Sequence, residues 1–183
     1  MPNYKWNRLK DKITLAAHLG RVWLMARVYL ELSVLIALAN SFDLFHNQTK
    51  EFLDEAQRLG FDVVSCKQAV EMDLAIGVAR RPLRVADALR ILEAIDTYEI
   101  KLLSPPSRAL LSLVNEYLEA TSLKIGDLLH YAGATLLNAD YLASWNTDDF
   151  NKRIEKSINK VNKEKNLKTI KVGTPTIISG WLR

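Results

Sequence analysis

The chain has 183 residues, 49% hydrophobic and 25% charged, enough to bury one good core and too few for two full domains. Its single cysteine, Cys66, excludes an internal disulfide, and no Cys and His cluster at zinc spacing, so a reducing, cytoplasmic setting is expected. The formal charge of +4 is unevenly held: residues 1–24 carry five Lys or Arg against Asp11, residues 25–150 hold 11 basic and 18 acidic side chains, and residues 151–183 hold 9 basic against Glu155 and Glu164.

Residues 1–24, basic, with Trp6 and Trp23 and no clear start or stop signal, read as an extension, with Met25 as a second candidate for the functional start of a domain spanning 25–183. Val28 to Glu31 then has β character and runs into an apolar segment, so a strand delivers Glu31 and Ser33 to the mouth of a helix. Arg27 and Glu31 interrupt that apolar run, which falls short of the ~18 residues a membrane span needs. Cleavage of a leader after Ala39 would discard the best strand, so neither a leader nor a membrane segment is expected.

Helix signals follow over Val34 to Phe45 and, after Asn47-Gln48-Thr49, up to Leu59, with Gly60 as the stop. Phe61 to Ser65 reads as the second strand, and Cys66 after it as a small buried apolar residue. Lys67 to Val78 has helical spacing, and Pro82 opens a helix to about Tyr98. Ile100 to Leu103 reads as the third strand and Ser104-Pro105-Pro106 as a turn. Ser107 to Ala120 and Lys124 to Asn138 read as helices, the second with Asp127 in its first turn, where a carboxylate suits the dipole. Tyr141 to Trp145 is the fourth strand, Asp148 to Glu164 a polar helix, and Thr169 to Val172 the fifth strand. This alternation predicts an α/β fold of three layers, with a parallel sheet of about five strands covered on both faces.

Gly-rich phosphate loops, a dinucleotide fingerprint, a nucleophile elbow and H-E-x-x-H are all missing, and His18, His46 and His130 share no ligand spacing. What remains is carboxylates at element ends. Glu31 follows the first strand, Glu71 lies in the helix after the second, Asp127 opens the helix before the fourth, and Asn146 and Asp148 follow the fourth. Parallel strands bring such ends together. Hard oxygen donors suit Mg²⁺ or Mn²⁺, which bind a carboxylate or two plus water and a substrate phosphate. An acidic body suits such a site, while a basic tail suits phosphate or a solvated helix face equally.

Taken singly, the acids have other uses. Asp127 can cap a helix, Glu71 can be solvated, and His130, one turn from Asp127, reads as a hydrogen-bonded pocket or core residue. Tyr131, Trp145 and Trp181 read as packing groups rather than base-stacking surfaces.

Y-L-E-L-S-V-L-I, S-C-K-Q-A-V-E, D-L-L-H-Y-A and A-D-Y-L-A-S-W-N, in that order and spacing from about residue 25 onward, resemble the PIN-domain ribonucleases of the VapC-like toxin type. The closing I-N-K-V-N through K-V-G-T-P resembles the tail of a subset of these proteins. The resemblance implies a metal site in which Glu31 stands where the family usually has Asp, with Glu71 and Asp127 as second and third acids. The fourth acidic position falls on the neutral Asn146, with Asp148 as the compensating charge. Ser33 and Ser144 match small hydroxyl positions and, with His130, are expected to support the site. The implied activity is Mg²⁺- or Mn²⁺-dependent endonucleolytic cleavage of structured RNA leaving a 5′-phosphate. The implied partners are an RNA substrate, a small antitoxin and a second copy in a homodimer. The alternative is a catalytically weak PIN-like subunit that binds RNA or forms a complex.

A chain beginning at Met25 is expected to fold and bind metal as the full chain does, measured by circular dichroism and calorimetry, because none of the expected site lies before it.

Overall fold

The computed structural model describes residues 26–182, so the expected extension 1–24 and Met25 lie outside the described residues. Five strands form one parallel sheet: β1 (Arg27–Leu30), β2 (Asp62–Cys66), β3 (Lys101–Leu103), β4 (Tyr141–Ala143) and β5 (Lys171–Gly173), in the order β3-β2-β1-β4-β5. The helices are α1 (Leu32–Ala39), α2 (His46–Arg58), α3 (Lys67–Ala79), α4 (Val85–Thr97), α5 (Ser107–Ala120), α6 (Ile125–Leu136), α7 (Lys152–Glu164) and α8 (Pro175–Leu182).

β1 is the central strand, and Val28, Tyr29 and Leu30 are all fully buried. The alternation of side chains along a strand sends Tyr29 to one face and Val28 and Leu30 to the other. On the first face Tyr29 packs with α5, α6 and α7 through Leu113, Leu128 and Ile158. On the second, Val28 and Leu30 pack with α1, α2, α4 and α8 through Leu35, Phe52, Ile95 and Ile178. α3 serves both layers, with Ala69 on one side and Val70 and Leu74 on the other. This is the three-layer α/β/α architecture expected from the sequence.

Element ends differ from the sequence reading for local reasons. α1 stops at Ala39 rather than Phe45, because the Asn40 and Asp43 side chains accept bonds from the Phe42 and Phe45 N–H groups (3.1 and 2.8 Å) and so replace helical bonds. α7 starts at Lys152 rather than Asp148, since the Asn151 side chain caps it by accepting from the Arg153 and Ile154 N–H groups. α4 starts at Val85, three residues beyond Pro82. α8 was not expected from the sequence at all.

The amino edge of the sheet is tied by charge. The Arg27 guanidinium donates to Asp62 (2.6 and 2.9 Å) and to the Leu137 carbonyl, while Lys101 pairs with the other Asp62 oxygen at 2.7 Å. Burial alone would raise the Asp62 carboxyl, but bonds from Lys101 and Arg27 outweigh it and hold the group below the usual carboxylate range.

α6 lies unusually close to the sheet at Gly133, where an added Cβ would sit 2.6 Å from the Cys66 Cβ and 3.3 Å from the Tyr29 hydroxyl. Cys66 is buried there, as the sequence suggested, and burial pushes its thiol up. Gly133→Ala is expected to cost about 1–3 kcal/mol in urea unfolding through overpacking. Gly180→Ala, in α8 with nothing within 4 Å of an added Cβ, should instead gain up to about 1 kcal/mol from helix propensity.

Candidate active site

Chain order rises from β1 to β3 on one side of the sheet and resumes with β4 and β5 on the other, so β1 and β4 flank a topological switch point. In open α/β sheets ligands bind in the crevice outside the carboxyl ends of the strands at such a point. Glu31 immediately follows β1, and Ser144 immediately follows β4. The Glu31 N–H donates to the Ala143 carbonyl (3.0 Å) and the Ser144 N–H to the Gly173 carbonyl (3.1 Å), which carries the ladder past the last paired residues.

Glu31 is the N-cap of α1 and only 7% exposed. Its Oε2 accepts from the Ser33 N–H (3.0 Å), the Ser33 hydroxyl and the Ser144 hydroxyl (2.8 Å). None of these bonds uses Oε1, which is the atom left to meet a ligand. The Ser33 hydroxyl also accepts from the Trp145 N–H (2.9 Å), and the Ser144 hydroxyl accepts from the Asn146 N–H (3.0 Å). Both hydroxyls thus couple the end of β1 to the loop after β4. Trp145 closes this side by stacking on Phe45 at 4.2 Å and donating its indole N–H to the Thr49 hydroxyl.

Asn146 donates its amide to Asp149 at 3.0 Å. Asp127, in the first turn of α6, feels the charges of Asp149, Glu31 and Asp73. Burial, then Asp149 and Glu31, push its carboxyl up to about 6, against a smaller opposing effect of His130. His130 itself is buried, its Nε2 3.0 Å from Asp73 and its Nδ1 2.8 Å from the Tyr29 hydroxyl. Because the Asp73 carboxylate only accepts, Nε2 carries a proton toward it; the core role expected for His130 matches this geometry.

Two of the expected acids are placed elsewhere. Glu71 is exposed and pairs with Lys67 at 3.7 Å; the acid of α3 that acts on Asp127 is Asp73. Two residues turn a helix by about 200°, so Glu71 and Asp73 occupy nearly opposite faces, and helical spacing alone did not say which faced inward. Asp148 is exposed, and its carbonyl, not its carboxylate, is engaged, accepting from the Asn151 amide at 2.7 Å. Its neighbour Asp149 takes the more inward position: Thr147 and Asp148 are exposed on the outside of the turn, and the chain turns back with Asp149 held by the Asn146 amide and Phe150 buried. Asp73 and Asp149 were both missed in the sequence; only their proximity to acids already named hinted at them.

The donor set is hard oxygen; burial raises Asp127 most, and the smaller contribution, repulsion from Asp149 and Glu31, is what a cation would relieve. Among the described residues, no three His, Cys, Asp or Glu side chains stand together as a ready metal cage. A hydrated Mg²⁺ or Mn²⁺ fits this arrangement, since such ions keep several waters and take one or two protein carboxylates. Glu31, Asp127 and Asp149 are the carboxylates among which one or two could ligate it, the rest of its shell being water.

Fold and site together define a class: a parallel α/β/α domain with clustered carboxylates at its switch point. No family model matches the chain, and no characterised protein matches it by sequence. Among solved structures it is similar to Mycobacterium tuberculosis VapC20, described as a sarcin-ricin loop cleaving toxin, at a TM-score of 0.49 and 10% identity, over 67% of this chain and 92% of that one. So slight a likeness transfers no residue role, and the site stands on its own geometry.

The raised Asp127 carboxyl has a cost in stability. Below about pH 4 the group is protonated in folded and unfolded chains alike. Between there and about pH 6 only the folded chain keeps the proton, so stability falls as pH rises, and above pH 6 the penalty is constant. Asp127→Asn should therefore stabilise the metal-free protein at pH 8 by about 1–2 kcal/mol, after discounting for partial exposure, and flatten stability between pH 4 and 6 in urea titrations.

Proposed function

We infer that the protein is a divalent-metal-dependent endoribonuclease of PIN type, the toxin of a toxin–antitoxin pair. The observation that carries the enzymatic part is the convergence of Glu31, Asp127 and Asp149, from three separate elements, on the crevice between β1 and β4. The sequence resemblance supports RNA as substrate, a small antitoxin and a homodimer as partners, and a cytoplasmic setting. Among the described residues no helix is long and apolar enough to cross a membrane.

When bound, a divalent ion supplies a water acidic enough to attack near neutral pH and a counter-charge for the phosphate oxygens. The protein's own share is positioning. Ser33 and Ser144 pin Glu31 through one oxygen and leave the other free. The Asn146 amide orients Asp149. Asp127 loses its proton as pH passes about 6, so the negative charge available to a cation in the crevice grows with pH over that range.

One observation favours a second reading, a binding subunit without catalysis: the acids do not form a ready metal cage among the described residues. RNA cleavage titrated with Mn²⁺ separates the two. Asp127→Asn and Asp149→Asn should each lower activity by about 10- to 100-fold or more, while Glu71→Gln and Asp148→Asn should leave it unchanged. Asn146→Asp, which adds a charge beside Asp149, should shift the metal midpoint by about 1–3 kcal/mol toward tighter binding. Flat traces for every protein, with RNA still bound, would replace the enzyme by the binding subunit.

A further inference from the structure

An acid cluster repels the polyanion it would cut, so a nuclease built on this crevice needs positive charge close by to hold the strand. Six of the 11 basic side chains of residues 25–150 are paired with acids: Arg27 and Lys101 with Asp62, Arg58 with Glu55, Lys67 with Glu71, and Arg84 and Arg90 with Asp87. α7 is different. Its buried residues Ile154, Ile158, Val161 and Asn162 form one face. Lys152, Lys156, Lys160 and Lys163, spaced by three or four residues, share the opposite face, with Arg153 at its edge.

Arg153, Lys156, Lys160 and Lys163 are exposed and have no ion-pair partner among the described residues. Among the described residues neither acid of α7 forms an ion pair with them, although Glu164 lies four residues beyond Lys160. Glu155 turns its Oε2 to the Val172 N–H and to Lys152, both at 2.7 Å, which anchors the helix to β5 instead. Like charges at this spacing destabilise a helix, so the row is a standing cost with no compensation inside the described fold. Lys156, Lys160 and Lys163 also line a shallow hollow of about 520 Å³ with Ser157, Asn159 and Glu155, the last with its Oε2 already engaged by Lys152 and the Val172 N–H. The stripe begins three residues beyond Asp149, and the buried Phe150 between them is stacked on Tyr131 at 4.9 Å, so it leads away from the acid cluster on a rigid support.

We propose that the solvent face of α7, through Arg153, Lys156, Lys160 and Lys163, is a phosphate-backbone contact surface that holds an RNA strand leading into the crevice between β1 and β4. From Arg153 to Lys163 the helix rises about 15 Å, enough to meet several consecutive phosphates of one strand. The surface reads charge and not base identity, since Arg153, Lys156, Lys160 and Lys163 contact phosphate; the one aromatic ring recorded against a cation of this helix, Trp181, is covered by Lys152. The proposal rests on the nuclease reading for where the strand leads, but the contact itself is independent of cleavage.

Binding of a labelled single-stranded RNA oligonucleotide, measured in EDTA across a salt series, tests it. The triple variant Lys156→Gln/Lys160→Gln/Lys163→Gln is compared with Lys50→Gln/Arg81→Gln/Arg108→Gln, which removes equal charge from exposed positions elsewhere. The α7 variant should lose about two units of the log–log salt slope, as expected for three lost phosphate contacts at ~0.7 each, and at least about tenfold in affinity near 100 mM salt. The control should bind like wild type. Lys→Arg at the same three positions should retain the slope, and unchanged thermal melts would show that all variants fold. Equal losses in the α7 variant and the control would overturn the proposal. So would loss-free RNA binding alongside α7-dependent sedimentation with phosphatidylserine vesicles, which would assign the stripe to a membrane surface. If α7-dependent binding holds while Mn²⁺ induces no cleavage, the nuclease reading alone fails.

Discussion

Everything around the switch point follows from a central strand that is buried on both faces and ends in a carboxylate. Stripping water from an ionised side chain costs several kcal/mol unless hydrogen bonds replace it. Glu31 meets that cost with the Ser33 N–H and two hydroxyls on a single oxygen, one of them from the loop after β4. A local turn and a long-range strand pairing therefore depend on the same carboxylate. The Trp145 N–H and Asn146 N–H complete the arrangement by donating to those hydroxyls, so the loop that carries Asn146 and Asp149 is held by the group it helps to solvate.

The two edges of the sheet treat charge in opposite ways. At the amino edge Arg27 and Lys101 divide Asp62 between them, and the result is a carboxylate held below its usual range. At the carboxyl edge Asp127 is pushed upward by burial and by Asp149 and Glu31, and among the described residues no lysine or arginine offsets them. That edge lies where parallel sheets bind ligands. On the nuclease reading proposed above, a cation would relieve the edge, and the cations of α7, unpaired among the described residues, would hold the phosphate chain.

His130 shows how the neighbouring layer supports this edge. Its ring is buried between the Tyr29 hydroxyl and Asp73, and α6 comes close enough to the sheet for this only because residue 133 lacks a side chain. The same helix carries Asp127 one turn earlier. The seat of α6 and the position of the acid are thus one packing problem.

Period and punctuation in the sequence were enough for the parallel three-layer fold, because strands buried on both faces read as short apolar runs between amphipathic helices. They also placed Glu31 and Ser33 at the end of the first strand, while Ser144 was named only through the family resemblance; the structure brings the three side chains into hydrogen-bond contact. The choice of Asp73 over Glu71 and of Asp149 over Asp148 was not legible. On a helix two residues are nearly half a turn apart, and in the turn after Asn146 the chain passes from exposed Asp148 to inward Asp149 in one step; both acids of each pair fit the sequence pattern equally. Helix boundaries at Asn40 and Asn151 likewise hinged on side-chain caps whose partners are local but whose use depends on where the chain must turn. What the sequence by itself determined was the order of the strands along the chain and the acids at their ends. Only the tertiary structure decided which carboxylates share the crevice, because that depends on the rotation of α3 and the loop after β4 about their own axes, set by packing and not by spacing.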